Sequence, residues 1–344
     1  MRPGLDYSHG VSVKPKKIRL ISRYVRHRLK RLHPFEVQAS PSNDCNMKCQ
    51  YCACPNLPKA SLSTEEWKSV IRGLRCLGML RLKFQGGEPT LRPDFDELAA
   101  LAQELGLITA LASNGTLIAK SPRLLDHVHE LILSLNSLDQ KVQDDLRGEG
   151  SHQAILKTMD LARARGVRVF NNMIVSSKNF SELEAVFDYC RKRGVTFHAQ
   201  PVVFGRQFFD EGARHIQLSQ EETQLLHRRL AAWKNQGRNV LFSASTYARA
   251  SLWEDYNDLN RLGDRPASCF AGRFYYHIEP MGEVYPCNLH IGTFQPKNAV
   301  KDGLAPALLH AGKHSCRDCW HPYFNERKAL FGLKLRSIKS AVSG

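Results

Sequence analysis

The chain has 344 residues, 42% of them apolar and 24% charged, which excludes a wholly disordered protein and allows a sizeable core. Its net charge of +16 leaves nucleic acid and anionic membranes open as partners. No apolar run reaches the ~18 residues of a membrane span and the N-terminus shows no signal-peptide pattern. The ten cysteines are therefore expected in a reducing cytoplasm, where metal ligation outranks disulfides.

The N-terminal 36 residues hold ten Lys or Arg against two acids. Ile18, Ile21, Val25, Leu29 and Leu32 fall on one helix face, with Arg19, Arg23, Arg26, Arg28, Lys30 and Arg31 on the others. This basic amphipathic segment, residues 1–34, has two readings: it lies on an anionic membrane or nucleic acid, or its apolar face packs on the protein itself. Basic residues recur near the other end, at Arg327, Lys328, Lys334, Arg336 and Lys339.

A strand-like segment, Phe35 to Ser40, leads into CNMKCQYC, with Cys45, Cys49 and Cys52 close together. Three thiolates in so short a loop can face one point and leave a position open on a four-iron cluster, which suggests chemistry rather than structure. A zinc knuckle or surface thiols is the alternative. Ser63 and Glu66 form a capping box for a helix through Trp67, Val70, Ile71 and Leu74. Leu80 to Phe84 then alternates as a strand and runs into GGEPT, Gly86 to Thr90, where the glycines permit close backbone approach to a ligand, Glu88 adds a carboxylate and Pro89 stiffens the exit.

The pattern repeats along the chain. A helix from Asp94 to Leu105 precedes a strand, Leu107 to Ala112, that ends in SNGT, Ser113 to Thr116. Strands are predicted at Leu131 to Leu135, Val167 to Val175 and Val195 to Val203, with helices at His152 to Arg165 and Ser181 to Arg193. Six strands alternating with helices predict an α/β fold with a parallel sheet, open or closed into a barrel, and the motifs fall at the C-terminal strand ends where such folds bind ligands. A core at residues 35–215 is followed by a helical connector, 216–268, containing a helix from Gln220 to Asn235. Residues 269–344 hold four cysteines and a hairpin, Tyr276 to Glu279 and Glu283 to Tyr285, that delivers Cys287.

CNMKCQYC and GGEPT, in this order, resemble the CxxxCxΦC and GGEP motifs of the radical SAM superfamily, over roughly Phe35 to Val203. The resemblance implies a partial (β/α)6 barrel in which Cys45, Cys49 and Cys52 hold a 4Fe-4S cluster that binds S-adenosylmethionine (SAM). It further implies that Tyr51 neighbours the adenine and that Gly86, Gly87, Glu88 and Pro89 position the methionine. LSLNSLDQKVQDDLRGEGS resembles the family's SLDG segment, with Ser134, Asp144, Arg147 and Gly148 matching. Asn136 and Ser137 depart from the usual Asp and Gly, and Asn136 keeps a hydrogen-bonding side chain without the charge. Ser113, Asn114, Ser134, Asn136 and Arg147 would complete the SAM site.

Cys269, Cys287 in GEVYPC, and the CRDC pair Cys316 and Cys319 resemble the twitch form of the SPASM extension, which implies an auxiliary iron-sulfur cluster. By spacing alone the same four residues satisfy a zinc site. The resemblance implies that an electron from a donor such as flavodoxin or ferredoxin cleaves SAM and that the resulting 5′-deoxyadenosyl radical removes hydrogen from a substrate. The 44 residues before Cys45 are too few for a peptide-recognition domain, so the expectation is a small molecule, carbohydrate-like or membrane-associated, that is oxidised or epimerised. A ribosomal-peptide maturase, an RNA-modifying enzyme, and an iron-sulfur or zinc protein without enzymatic activity are the alternatives. Cys54 is a candidate hydrogen donor, Cys190 reads as core packing, and Cys76 sits at a helix end.

Overall fold

The computed structural model describes residues 34–204, 210–262 and 269–332. The basic amphipathic segment lies outside them up to residue 33, as do Lys334, Arg336 and Lys339. The strands are β1 (Glu36–Ala39), β2 (Arg81–Phe84), β3 (Ile108–Ala112), β4 (Glu130–Leu133), β5 (Arg168–Val175), β6 (Thr196–Pro201), β7 (Asn260–Leu262), β8 (Tyr275–Ile278), β9 (Glu283–Tyr285), β10 (Lys297–Asn298) and β11 (Cys316–Cys319). The α-helices are α1 (Thr64–Cys76), α2 (Phe95–Glu104), α3 (Gln140–Arg147), α4 (Ser151–Ala164), α5 (Leu183–Lys192), α6 (Gln220–Asn235), α7 (Ala244–Ala250), α8 (Leu304–Ala311) and α9 (Pro322–Phe331).

The first six strands pair in parallel and in sequence order, as the alternating pattern predicts for an α/β barrel. Their outward residues meet the helices. Helix α1 buries Trp67, Val70, Ile71 and Leu74, its capping box closed by Ser63 and Glu66. Phe84 packs edge-on against Phe95 of α2 at 5.5 Å, and Phe187 of α5 stacks on Trp233 of α6 at 4.5 Å. Helix α6 therefore shares the barrel's core rather than standing clear of it.

Two elements differ from the sequence reading. The crossover from β3 to β4 contains no α-helix, only a 3-10 turn at Pro122–Leu125. Helix α3, which the pattern missed, starts at Asp139, whose side chain accepts a hydrogen bond from the Lys141 amide at 2.7 Å.

The hairpin predicted around Cys287 is present as β8 and β9. Strand β8 also pairs in parallel with β1, so the C-terminal region continues the barrel sheet in the order β10-β9-β8-β1-β2-β3-β4-β5-β6. A second apolar cluster surrounds Cys287 and Cys319, with Trp253, Phe274, Tyr275, Trp320 and Phe331. Helix α9 is tied to β1 by charge. Arg327 bonds Glu36 at 2.6 Å, Arg81 bonds the other Glu36 oxygen at 2.7 Å, and Tyr323 hydrogen-bonds the same carboxylate. No helix among the described residues is long and apolar enough to cross a membrane.

A candidate active site in the barrel

A cavity of ≈ 580 Å³ runs through the barrel. At the C-terminal ends of the strands it is lined by Cys45, Cys49, Tyr51, Cys52 and Cys54, by Gly86, Gly87 and Glu88, by Ser113 and Asn114, and by Ser134 and Arg147. Four stretches far apart in sequence thus meet at one rim. Of the residues predicted for this site, Pro89 and Asn136 do not line the cavity.

The contacts explain why these residue types are needed. Gly86 has φ +117, and a Cβ on Gly87 would lie 2.1 Å from the Asp44 carbonyl. The close approach expected of these glycines is therefore to the chain's own backbone: Gly87 N donates to Ser42 O at 3.0 Å and Glu88 N to Asp44 O at 2.6 Å. The Glu88 carboxylate is spent inside the protein. It accepts from Thr90 N (3.2 Å), Thr90 Oγ1 (2.6 Å), Ser113 Oγ (2.9 Å) and Asn114 N (2.7 Å), which locks GGEPT to SNGT. Burial pushes this carboxyl upward while the four donors oppose it. Asn114 passes the brace on, its Nδ2 donating to Asn46 Oδ1 in the cysteine loop at 2.8 Å.

The other side of the loop is held by α3. Gln50 N donates to Leu146 O at 3.0 Å, and the Cys49 thiol points at Arg147 O at 3.7 Å. Asn136, expected to help complete the SAM site, hydrogen-bonds within the protein. Its Nδ2 donates to Tyr51 Oη at 2.9 Å and its Oδ1 accepts from Ile174 N at 2.9 Å, so both ends are satisfied internally. Arg147 shares the Tyr51 hydroxyl at 2.9 Å, while its buried Nε has no partner.

Electrostatics differ among the three rim thiols, burial raising Cys45 and Cys49 while Cys52 is lowered. Burial pushes the Cys45 thiol up to about 11, so a cation must hold it as thiolate. Cys52 comes down to about 7, first through its hydrogen bond with Cys54, whose own thiol moves the opposite way. Arg147 is desolvated, and the groups that sustain its charge are Tyr51, Cys49 and Cys45. A buried guanidinium with an open Nε beside three thiols fits an anionic thiolate cluster. Cys54 is 1% exposed and packs its sulfur 3.8 Å from Asn43 O.

In the C-terminal region, burial pushes the Cys287 and Cys319 thiols upward. The next causes on Cys287 are Cys269 and Cys316, and on Cys319 they are Cys269, Cys316 and Cys287, so each of these two thiols feels the charge of its cysteine neighbours. Cys316 and Cys319 lie on β11, which pairs with β7. His290 and His314 bring ring nitrogens within 4.8 Å of Cys316 and of each other. His314 is already committed, its Nε2 to Ala271 O at 2.8 Å and its Nδ1 to Cys316 N at 3.1 Å. Cys190 is fully buried in the core and Cys76 is exposed at the end of α1.

Deeper in the barrel the cavity wall is polar. Gln38, Lys83, Glu130, Asn172, His198 and Gln200 alternate along the strands with outward apolar residues. These positions were not singled out in the sequence, although Arg81-Leu82-Lys83 and His198-Ala199-Gln200 are period-two polar patterns that a sheet buried on both faces should not carry.

Residues 39–190 match the Radical SAM superfamily. The PqqA peptide cyclase of Gluconobacter oxydans (strain 621H) is 26% identical over 271 residues, covering 74% of this chain and 70% of that protein. The Fe-coproporphyrin III synthase of Methanosarcina barkeri (strain Fusaro / DSM 804) is 34% identical over 152 residues, 42% of this chain and 38% of that protein. In fold, the chain is similar to Streptococcus suis SuiB bound to S-adenosylmethionine, with TM-score 0.63, 21% identity, and coverage of 84% of this chain and 68% of that one. Residues 39–190 thus carry a radical SAM domain, and a cysteine-rich region follows it.

Proposed function

We propose that this protein is a peptide-modifying radical SAM enzyme in which Cys45, Cys49 and Cys52 hold the SAM-binding 4Fe-4S cluster. Cys269, Cys287, Cys316 and Cys319 hold an auxiliary iron-sulfur cluster in this reading. With SAM bound, the open cluster supplies the 5′-deoxyadenosyl radical chemistry, and the auxiliary cluster offers a place for an electron leaving the substrate. The chain's own residues orient and enclose. Arg147 balances the thiolate charge, Glu88 and Asn114 fix the rim to the cysteine loop, and Tyr51 is held upright by Asn136 and Arg147. The β-barrel wall and α9 line the space below.

The observation that carries the peptide reading is the match to PqqA peptide cyclase across 74% of the chain, well beyond the SAM domain. It favours the peptide alternative over the small-molecule expectation. The match to Fe-coproporphyrin III synthase reaches 42% of the chain. The test is anaerobic reconstitution with dithionite and SAM, supplied with candidate peptides encoded by short reading frames beside the gene and labelled with deuterium. Deuterium in 5′-deoxyadenosine together with a peptide that has lost hydrogen supports the reading. Transfer from none of these peptides, while small molecules do transfer, refutes it.

A further inference from the structure

Below the rim, several polar atoms face the cavity without partners. His198, 5% exposed, uses Nδ1 with Tyr247 Oη at 3.0 Å, while its buried Nε2 makes no hydrogen bond of regular geometry and the Gln200 side chain interacts with the ring. The buried Asn172 Oδ1 is likewise unpaired. Lys83 projects from β2 into the same space, its ammonium 5.6 Å from the centre of the Tyr323 ring, and has no ion-pair partner among the described residues. Lys83 and His198 both line the one cavity, where burial first, then His321, His227 and Lys83, hold the His198 imidazole well below its ordinary range.

The acids nearby are already taken. Glu36 serves Arg81 and Arg327, and Glu130 serves Arg81 at 2.7 Å with Arg168 at 3.9 Å. Glu326 accepts from Ser243 N at 3.1 Å and Ser243 Oγ at 2.6 Å. The neighbouring cation Lys234 donates to Val240 O at 2.8 Å. Six cationic side chains line the cavity against three carboxylates; Lys83, Arg147 and Lys234 have no ion pair with an acid among the described residues, and of these Arg147 bonds Tyr51 and Lys234 bonds Val240 O while Lys83 has only the Tyr323 ring beside it. Burial, followed by Arg81, brings its ammonium down to about 8. A desolvated ammonium beside an open imidazole nitrogen is costly by itself and favourable once an anion joins it.

We propose that Lys83 and His198 form a subsite for a carboxylate of the substrate, with Asn172 Oδ1 accepting an adjacent substrate N–H. A peptide offers both groups, so the proposal deepens the peptide reading and rests on it for the identity of the donor. With Nε2 carrying the proton, His198 donates to the carboxylate while Nδ1 accepts from Tyr247. The carboxylate belongs either to an acidic side chain or to a peptide C-terminus.

Calorimetric titration of the reconstituted full chain, saturated with SAM so that SAM's own carboxylate does not compete, separates these sources. The probes are N-acetyl-glutamate α-amide, N-acetyl-glutamine with a free α-carboxylate, and the neutral N-acetyl-glutamine amide. The expected result is that one acidic probe binds at least about tenfold tighter than the neutral one, and which acid wins identifies the source. Lys83→Met should abolish that preference and Lys83→Arg should retain part of it. Equal binding of acid and amide, no binding of any probe, or an unchanged preference in folded Lys83→Met overturns the subsite. The comparison on the wild-type protein needs no variant to fold. It is also independent of deuterium transfer, so the peptide reading and the subsite fail separately.

Discussion

Replacing Glu88 by Gln tests how the rim is held together. The carboxylate accepts four hydrogen bonds, three of them on Oε1 from Thr90 and Ser113 and one on Oε2 from Asn114 N at 2.7 Å. The least costly glutamine keeps its oxygen toward Thr90 and Ser113 and turns its NH₂ toward the Asn114 amide, placing donor against donor. One charge-assisted bond is lost and one buried N–H is stranded, which together cost about 3 kcal/mol. The damage does not stay local, because Asn114 carries Asn46 of the cysteine loop at 2.8 Å. Glu88→Gln should therefore lower the urea midpoint measured anaerobically and weaken SAM binding at the cluster. A variant within about 0.5 kcal/mol of wild type, with unaltered SAM binding, would refute this reasoning.

Two further predictions concern the scaffold. Glu36 is 4% exposed; against the cost of its burial, Arg327 and Arg81 hold its carboxyl down from 4.5 to about 2. A depressed carboxyl contributes stability that is fully present above pH 4.5 and lost as pH falls toward 2, a contribution of about 3 kcal/mol. Glu36→Gln should be destabilised by a similar amount at neutral pH, with the gap to wild type narrowing below pH 4.5, read by urea unfolding at matched cluster content. A gap that stays constant with pH would contradict it. Gly87→Ala would drive its methyl into the Asp44 carbonyl, so it should cost roughly 3 kcal/mol or more and lower cluster occupancy, whereas Ser137→Ala, away from that contact, should leave occupancy intact; equal iron content in the two would refute the packing argument.

Much of the barrel was legible because parallel βα units impose a repeat that local composition cannot hide. Ser63 with Glu66 marked the start of α1. The rim was legible for a different reason. Glycines forced by a 2.1 Å approach leave few other residue choices, and three cysteines packed into one short loop stand out in any composition. What sequence could not give was how polar side chains are spent. Glu88 and Asn136 read as ligand contacts; beside the neighbouring Thr90, Glu88 is engaged by Ser113 and Asn114, 25 and 26 residues away, and the Asn136 side chain by Ile174 and Tyr51, 38 and 85 residues away. The pairing of β8 with β1 was equally hidden, since it joins segments more than two hundred residues apart and no local pattern records it. Lys83 and His198 needed the barrel's inside to be known first.

The most direct test of the account is to reconstitute the full chain with iron and sulfide and to compare it with the triple variant Cys45→Ala, Cys49→Ala, Cys52→Ala by electron paramagnetic resonance and by 5′-deoxyadenosine formation. The account predicts that SAM perturbs one reduced cluster signal in the wild type, that the triple variant loses this signal and all SAM cleavage, and that it retains a second, SAM-insensitive cluster. A wild-type protein with intact clusters that yields no 5′-deoxyadenosine, or a triple variant that still cleaves SAM, would contradict it.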